Sequence, residues 1–110
     1  MNHIEALIQC EIVKRFQELG VFCFSVPNEG AGGNMLRQGR LVSMGLKSGV
    51  SDLVVWIGEL TVYLEVKAPG GKQSPAQKKF QTRCEESGRS YELVFSLEDA
   101  LNVLAKYARV

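Results

Sequence analysis

Histidine is almost missing from this 110-residue chain: His3 is the single copy, and the three cysteines, Cys10, Cys23 and Cys84, stand far apart. An odd cysteine count with no C-x-x-C pair leaves neither a disulfide framework nor a zinc site. Buried, reduced thiols in a cytoplasmic protein are expected instead. An excess of charge is missing too. The formal net charge is +1, so any contact with nucleic acid must come from local patches rather than a global basic field. No apolar run is long enough to span a bilayer, and the N-terminus lacks a signal-peptide pattern, so no membrane partner is expected. Internal repeats and low-complexity tracts are also lacking. What is present suits one domain, residues 1–110: the hydrophobic share of 45% is enough for one modest core.

The most informative stretch is residues 52–67, DLVVWIGELTVYLEVK. β-Branched and apolar residues run up to Gly58 and Glu59 and away again, which predicts a hairpin with a Gly-first two-residue turn. With that turn Ile57 pairs with Leu60, and counting outward sets Asp52 opposite Glu65. Side chains alternate with period two. One face then carries Asp52, Val54, Trp56, Thr61, Tyr63, Glu65 and Lys67, and the other is wholly aliphatic. Like charges directly opposite each other destabilise a sheet, on the scale of about 0.2–1 kcal/mol for such pairs. A divalent cation between the carboxylates would offset that cost, and Lys67 reaches the same spot. Two carboxylates and an amine at one end of a hairpin are what metal-assisted phosphodiester hydrolysis needs. A surface hairpin with solvated acids is the plainer alternative for so short a pattern.

The rest of the chain supplies the setting. Residues 4–19 read as a helix with Ile8, Ile12, Phe16 and Leu19 on one stripe and Gly20 as its stop. Glu5 lies on that stripe and has two readings. It is either a third acid facing the site or a first-turn acid favoured by the helix dipole. Glu11 ranks second as the helix acid and could pair with Arg15 one turn on. A short strand at residues 21–26 ends at Pro27. A glycine-rich loop over residues 28–34 follows, then a short helix ending at Gly45. Residues 48–51 turn tightly into Asp52. Ser74 as N-cap, Pro75 at the first position and Gln77 at the third start a helix to about Glu86. Residues 91–95 form a strand, and Ser96 caps a last amphipathic helix.

The order is α β (short α) β β α β α, an α/β class with a mixed sheet flanked by helices. Arg37, Arg40, Lys72, Lys78, Lys79 and Arg83 are candidate phosphate contacts; the plainer reading of each is a solvated cation. Gln77 is either a cap alone or a polar contact to the site.

Several short motifs come in a recognisable order: Glu5-x-x-Ile8-Gln9, Val26-Pro27-Asn28, Gly49-Val-Ser-Asp52, Glu65-Val-Lys67-Ala-Pro-Gly-Gly and Ser74-Pro-Ala-Gln77. Over nearly its whole length the chain resembles the stand-alone VRR-NUC nucleases of the PD-(D/E)XK, restriction-endonuclease-like superfamily. Ser51 stands where that family often has proline, a change in the turn rather than in the ligands. The resemblance implies a restriction-endonuclease-like fold and a Mg²⁺- or Mn²⁺-dependent endonuclease. Asp52 and Glu65 would be metal ligands, with the carbonyl of Val66 as a further one. Lys67 would be the catalytic lysine, Glu5 the helix acid and Gln77 a matching glutamine. It also implies a homodimer acting on branched DNA, four-way (Holliday) junctions included. Residues 35–46, rich in methionine and leucine, are a candidate pairing surface. Two other functions compete with this one: a DNA-binding module without chemistry, and a restriction-type nuclease that reads sequence.

Overall fold

The structure, a computed structural model, is described for residues 1–27 and 35–108, with only the backbone described for residues 35–38. The expected glycine-rich loop at 28–34 and the side chain of Arg37 therefore lie outside the described residues. The elements run α1 (His3–Glu18), β1 (Cys23–Ser25), α2 (Met35–Ser43), β2 (Leu53–Ile57), β3 (Leu60–Val66), α3 (Pro75–Glu86), β4 (Ser90–Val94) and α4 (Leu97–Tyr107). This is the order that the sequence predicts.

One four-stranded sheet is ordered β1-β2-β3-β4. The first two pairings are antiparallel, and β3 pairs with β4 in parallel through the α3 crossover. The β2–β3 register is the expected one, from Ile57 opposite Leu60 to Leu53 opposite Leu64. Gly58 supplies the positive φ, +61°, at the first turn position, where the two-residue turn matching strand twist needs it.

The aliphatic face of the hairpin becomes the core. Leu53, Val55, Val62, Leu64 and Val66 are buried against Ile12 and Phe16 of α1, Val94 of β4, and Ala100 and Val103 of α4. Each large aliphatic side chain so buried contributes about 1.5–3 kcal/mol. Leu19 does not join the stripe. It is the C-cap of α1 and is exposed, while Val21 packs against the core in its place. The opposite face is partly covered by α3, whose Phe80 meets Tyr63 and Tyr91 edge-on at 5.6 and 6.1 Å between ring centres. Toward β1 that face stays open, and Phe22, Phe24 and Trp56 form an exposed ring cluster there.

Two smaller expectations fail. Arg15 pairs with Glu18 at 3.6 Å, not with Glu11, because the i,i+3 partner was available on the exposed side of the last turn. Cys84 is buried and Cys23 partly so, but Cys10 is exposed on α1; all three are free thiols. No helix among the described residues is long and apolar enough to cross a membrane.

Candidate active site

The antiparallel and parallel pairings bring the start of β2 and the ends of β1, β3 and β4 to one end of the sheet. Both α1 and α3 begin beside that end. A cavity of about 460 Å³ opens there, lined by Glu5, Gln9, Asp52, Glu65, Lys67 and Gln77 among others.

Asp52 precedes β2 by one residue, and the β2–β3 register continued outward sets it opposite Glu65. Its Oδ2 accepts a 2.8 Å hydrogen bond from the Val66 N–H, and its own carbonyl accepts from Val26 N–H at 3.0 Å. These bonds hold the carboxylate at the sheet end. The turn before it depends on Gly49. Its φ is +81°, and a Cβ there would lie 2.3 Å from the Ala76 carbonyl group. The bare backbone lets residues 48–51 press against the first turn of α3, and Asp52 and Gln77 line the same cavity.

Glu65 is 1% exposed. Burial, and then the Asp52 carboxylate beside it, push its pKa up to about 9, against the opposing pull of Lys67. Gln77 Nε2 donates to Glu65 Oε2 at 3.1 Å, but Glu65 Oε1 is buried with no hydrogen-bond partner among the described residues. An unmatched buried acceptor costs about 1–3 kcal/mol, more when charged. The donors from Val66 and Gln77 thus leave one oxygen of the pair unmatched, and the Lys67 charge only partly offsets the two acids.

Lys67 leaves β3 at the same end, its N–H bonded to the Val94 carbonyl at 2.9 Å. Its Nζ lies 3.7 Å from Glu5 Oε1, with both side chains mostly buried. Glu5 Oε2 meanwhile accepts from the Asn2 N–H at 3.1 Å, and Asn2 Oδ1 accepts from the Glu5 N–H at 2.8 Å. Glu5 thus closes a capping box and pairs with the site lysine, and it is buried rather than exposed by fraying. Glu11 is exposed and takes no part. Asn2 is the residue sequence reading missed, although Asn two residues into the chain with Glu three further on is a capping-box signal. Gln9, one turn after Glu5, was also given no role.

The side chain of Val66 belongs to the core, so its backbone is what lines the cavity. Among the described residues no group of three or more His, Cys, Asp or Glu side chains could enclose a metal ion. Two carboxylates with one orphaned oxygen, at a cavity with room for water, instead suit a hard cation. Mg²⁺ keeps several waters and is usually held by only one or two carboxylates.

The predicted cations divide. None of Lys72, Lys78, Lys79 and Arg83 lines the carboxylate cavity. Lys79 and Arg83 line an adjoining groove with Lys47, and that groove shares Ser48 and Ala76 with the cavity. Lys78 lies on the next surface along α3, again with Lys79 and Arg83. Lys72 and Arg40 are exposed and border neither the cavity nor the groove.

A family model described as "VRR-NUC domain" matches residues 5–96. A solved structure titled "VRR_NUC domain" is 22% identical, covering 96% of this chain and 99% of its own, with a TM-score of 0.70. Another, titled "VRR_NUC domain protein", is 16% identical over 99% of this chain and 91% of its own, with a TM-score of 0.78. These likenesses establish the fold, consistent with the restriction-endonuclease-like class. No curated protein matches the chain.

Proposed function

The chain belongs to the VRR-NUC domain family, a nuclease-type family with DNA as its implied substrate, and from that premise we propose that it is a Mg²⁺- or Mn²⁺-dependent endonuclease that hydrolyses phosphodiester bonds in branched DNA. The observation that carries the reading is the pairing of Asp52 with a buried Glu65 that has an unmatched oxygen, beside Lys67. Asp52 and Glu65 would hold the cation, with the Val66 carbonyl and water completing its shell. When bound, such a cation screens charge on the attacked phosphate and lowers the pKa of a water.

The chain's own residues do the remaining work. Glu5 fixes the Lys67 ammonium at the cavity wall, where its N–H donors meet a phosphate oxygen as charge develops. Gln77 orients Glu65 from the side of α3. Lys47, Lys79 and Arg83 carry the DNA backbone along the groove beside the cavity. Branched substrates, four-way junctions included, are the proposed targets. Symmetric cutting of a symmetric junction calls for two sites related by a two-fold axis, hence a homodimer. Residues 1–110 act as one domain in this reading, in the cytoplasm, where its free thiols stay reduced.

The test is a panel of linear, flap and four-way DNA with Mg²⁺, Mn²⁺ or EDTA. Metal-dependent cutting of the branched members is expected. Binding without cutting in any metal would make the chain a DNA-binding module. Cutting of a linear duplex at one sequence would make it a restriction-type enzyme.

A further inference from the structure

Gln9 is not accounted for by the cap of α1, by the core or by the pairings that hold the four site residues. It lies one helical turn after Glu5, and residues four apart share a helix face. It lines the carboxylate cavity. Its side-chain Oε1 is buried and has no hydrogen-bond partner, and among the described residues the only other buried side-chain nitrogen or oxygen in that state is Glu65 Oε1. Both residues that carry an orphaned acceptor line the carboxylate cavity. A glutamine carbonyl withdrawn from water without a donor destabilises the folded chain. Nearly all such groups in folded proteins are matched by protein or by ordered water. Among the described residues none supplies a donor to Gln9, and the cavity beside it has room for one from solvent or a ligand.

The cavity is rich in acceptors. Glu5, Asp52, Glu65 and Gln9 all contribute oxygens, and the Lys67 ammonium faces Glu5. A bare anion would be repelled there. A hydrated divalent cation brings what is lacking: positive charge for the carboxylates and polarised water O–H groups for a neutral carbonyl. Resting on the metal-dependent reading above, we infer that Gln9 is a positioning residue whose side-chain carbonyl accepts a hydrogen bond from a water carried by the cation that Asp52 and Glu65 hold. The residue acts through that water and is not itself a ligand. In this role Gln9 orders the cation's hydration from the α1 side, as Gln77 orders Glu65 from the α3 side.

A structural role and this role predict different outcomes for Gln9→Leu. Removing an orphaned acceptor leaves the metal-free melting temperature at or above that of the wild type. Removing a partner of the hydrated cation weakens Mn²⁺ binding, measured by calorimetry without DNA, by roughly tenfold to a hundredfold. Gln9→Glu retains an oxygen acceptor and keeps Mn²⁺ affinity within a few-fold of wild type. Gln9→Met, unbranched and close in length, serves if the leucine variant fails to fold. The inference is overturned if the folded leucine or methionine variant binds Mn²⁺ as the wild type does, while Asp52→Asn abolishes binding. In that event the metal-dependent reading survives. Wild-type protein that binds no Mn²⁺ overturns both.

Discussion

Glu5 and Gln77 occupy the same place in two different helices. Each is the third residue of its helix, and each uses one side-chain oxygen to close a capping box, with Asn2 and Ser74 respectively. Each uses its other terminal atom to reach the site: Glu5 Oε1 to Lys67 at 3.7 Å, and Gln77 Nε2 to Glu65 at 3.1 Å. The positive ends of α1 and α3 are thereby fixed at the cavity, where they favour its carboxylates.

Cap and site can be separated by mutation. Ser74→Ala removes the cap oxygen and costs about 1 kcal/mol of stability, read as a lower midpoint in urea, with cleavage rate per folded molecule retained. Gln77→Glu keeps a cap acceptor but sets a carboxylate against Glu65 Oε2. It leaves the midpoint near that of the wild type and lowers cleavage at neutral pH. Equal effects of the two changes on cleavage would show that Gln77 serves only the helix.

The raised pKa of Glu65 makes the metal-free protein sensitive to pH. In the unfolded chain this carboxyl ionises near 4.5, whereas in the fold it holds its proton up to about 9. Between those values the unfolded state binds fewer protons, so stability falls as pH rises through the window and levels off above it. Glu65→Gln flattens that slope, and urea melts at several pH values in EDTA would show the difference. A steeper slope in the variant is the opposite of what this carboxyl requires.

Gly49 should be intolerant of any side chain. Its positive φ and the 2.3 Å approach to Ala76 backbone atoms both forbid a Cβ. Gly49→Ala is expected to cost about 1–3 kcal/mol through backbone strain and more if α3 must move, and thermal melting measures it. Cleavage should fall beyond the loss of folded protein, because the same turn leads into Asp52 and presses on the helix that carries Gln77.

Junction binding should depend unevenly on the cations. Lys79→Ala and Arg83→Ala, like Lys47→Ala, weaken binding and each reduce the slope of log affinity against log salt by about one. Lys72→Ala leaves that slope close to wild type, since Lys72 borders neither cavity nor groove. A filter-binding series across salt concentrations distinguishes them.

The hairpin and its opposed acids were legible from sequence because a period of two and a Gly-first turn set the register locally, and period and turn left no other pairing for Asp52. The role of Glu5 was not legible. Whether a first-turn acid meets a lysine 62 residues later depends on how α1 packs across β3, and no local pattern encodes that. The cations divide for a similar reason. Lys78 and Lys79 are neighbours in sequence but point about 100° apart on a helix of 3.6 residues per turn, and only the position of the 48–51 turn selects Lys79 and Arg83. Gln9 stands in the Glu5-x-x-Ile8-Gln9 motif, but glutamine on a helix is ordinary and sequence assigns it no role; its buried, unmatched oxygen exists only in the fold.

Asp52 and Glu65 are proposed to share one cation, and proton release on metal binding is the measurement that bears on this pair first. At pH 7 Glu65 carries a proton in the metal-free fold, and a carboxyl must shed it to become a ligand. Mn²⁺ titrated at pH 7 in buffers of different ionisation enthalpy should therefore release close to one proton as it binds to the wild type, and Glu65→Gln should lose both the binding and the release. Tight binding with no proton released, or binding that Glu65→Gln leaves intact, would contradict the account.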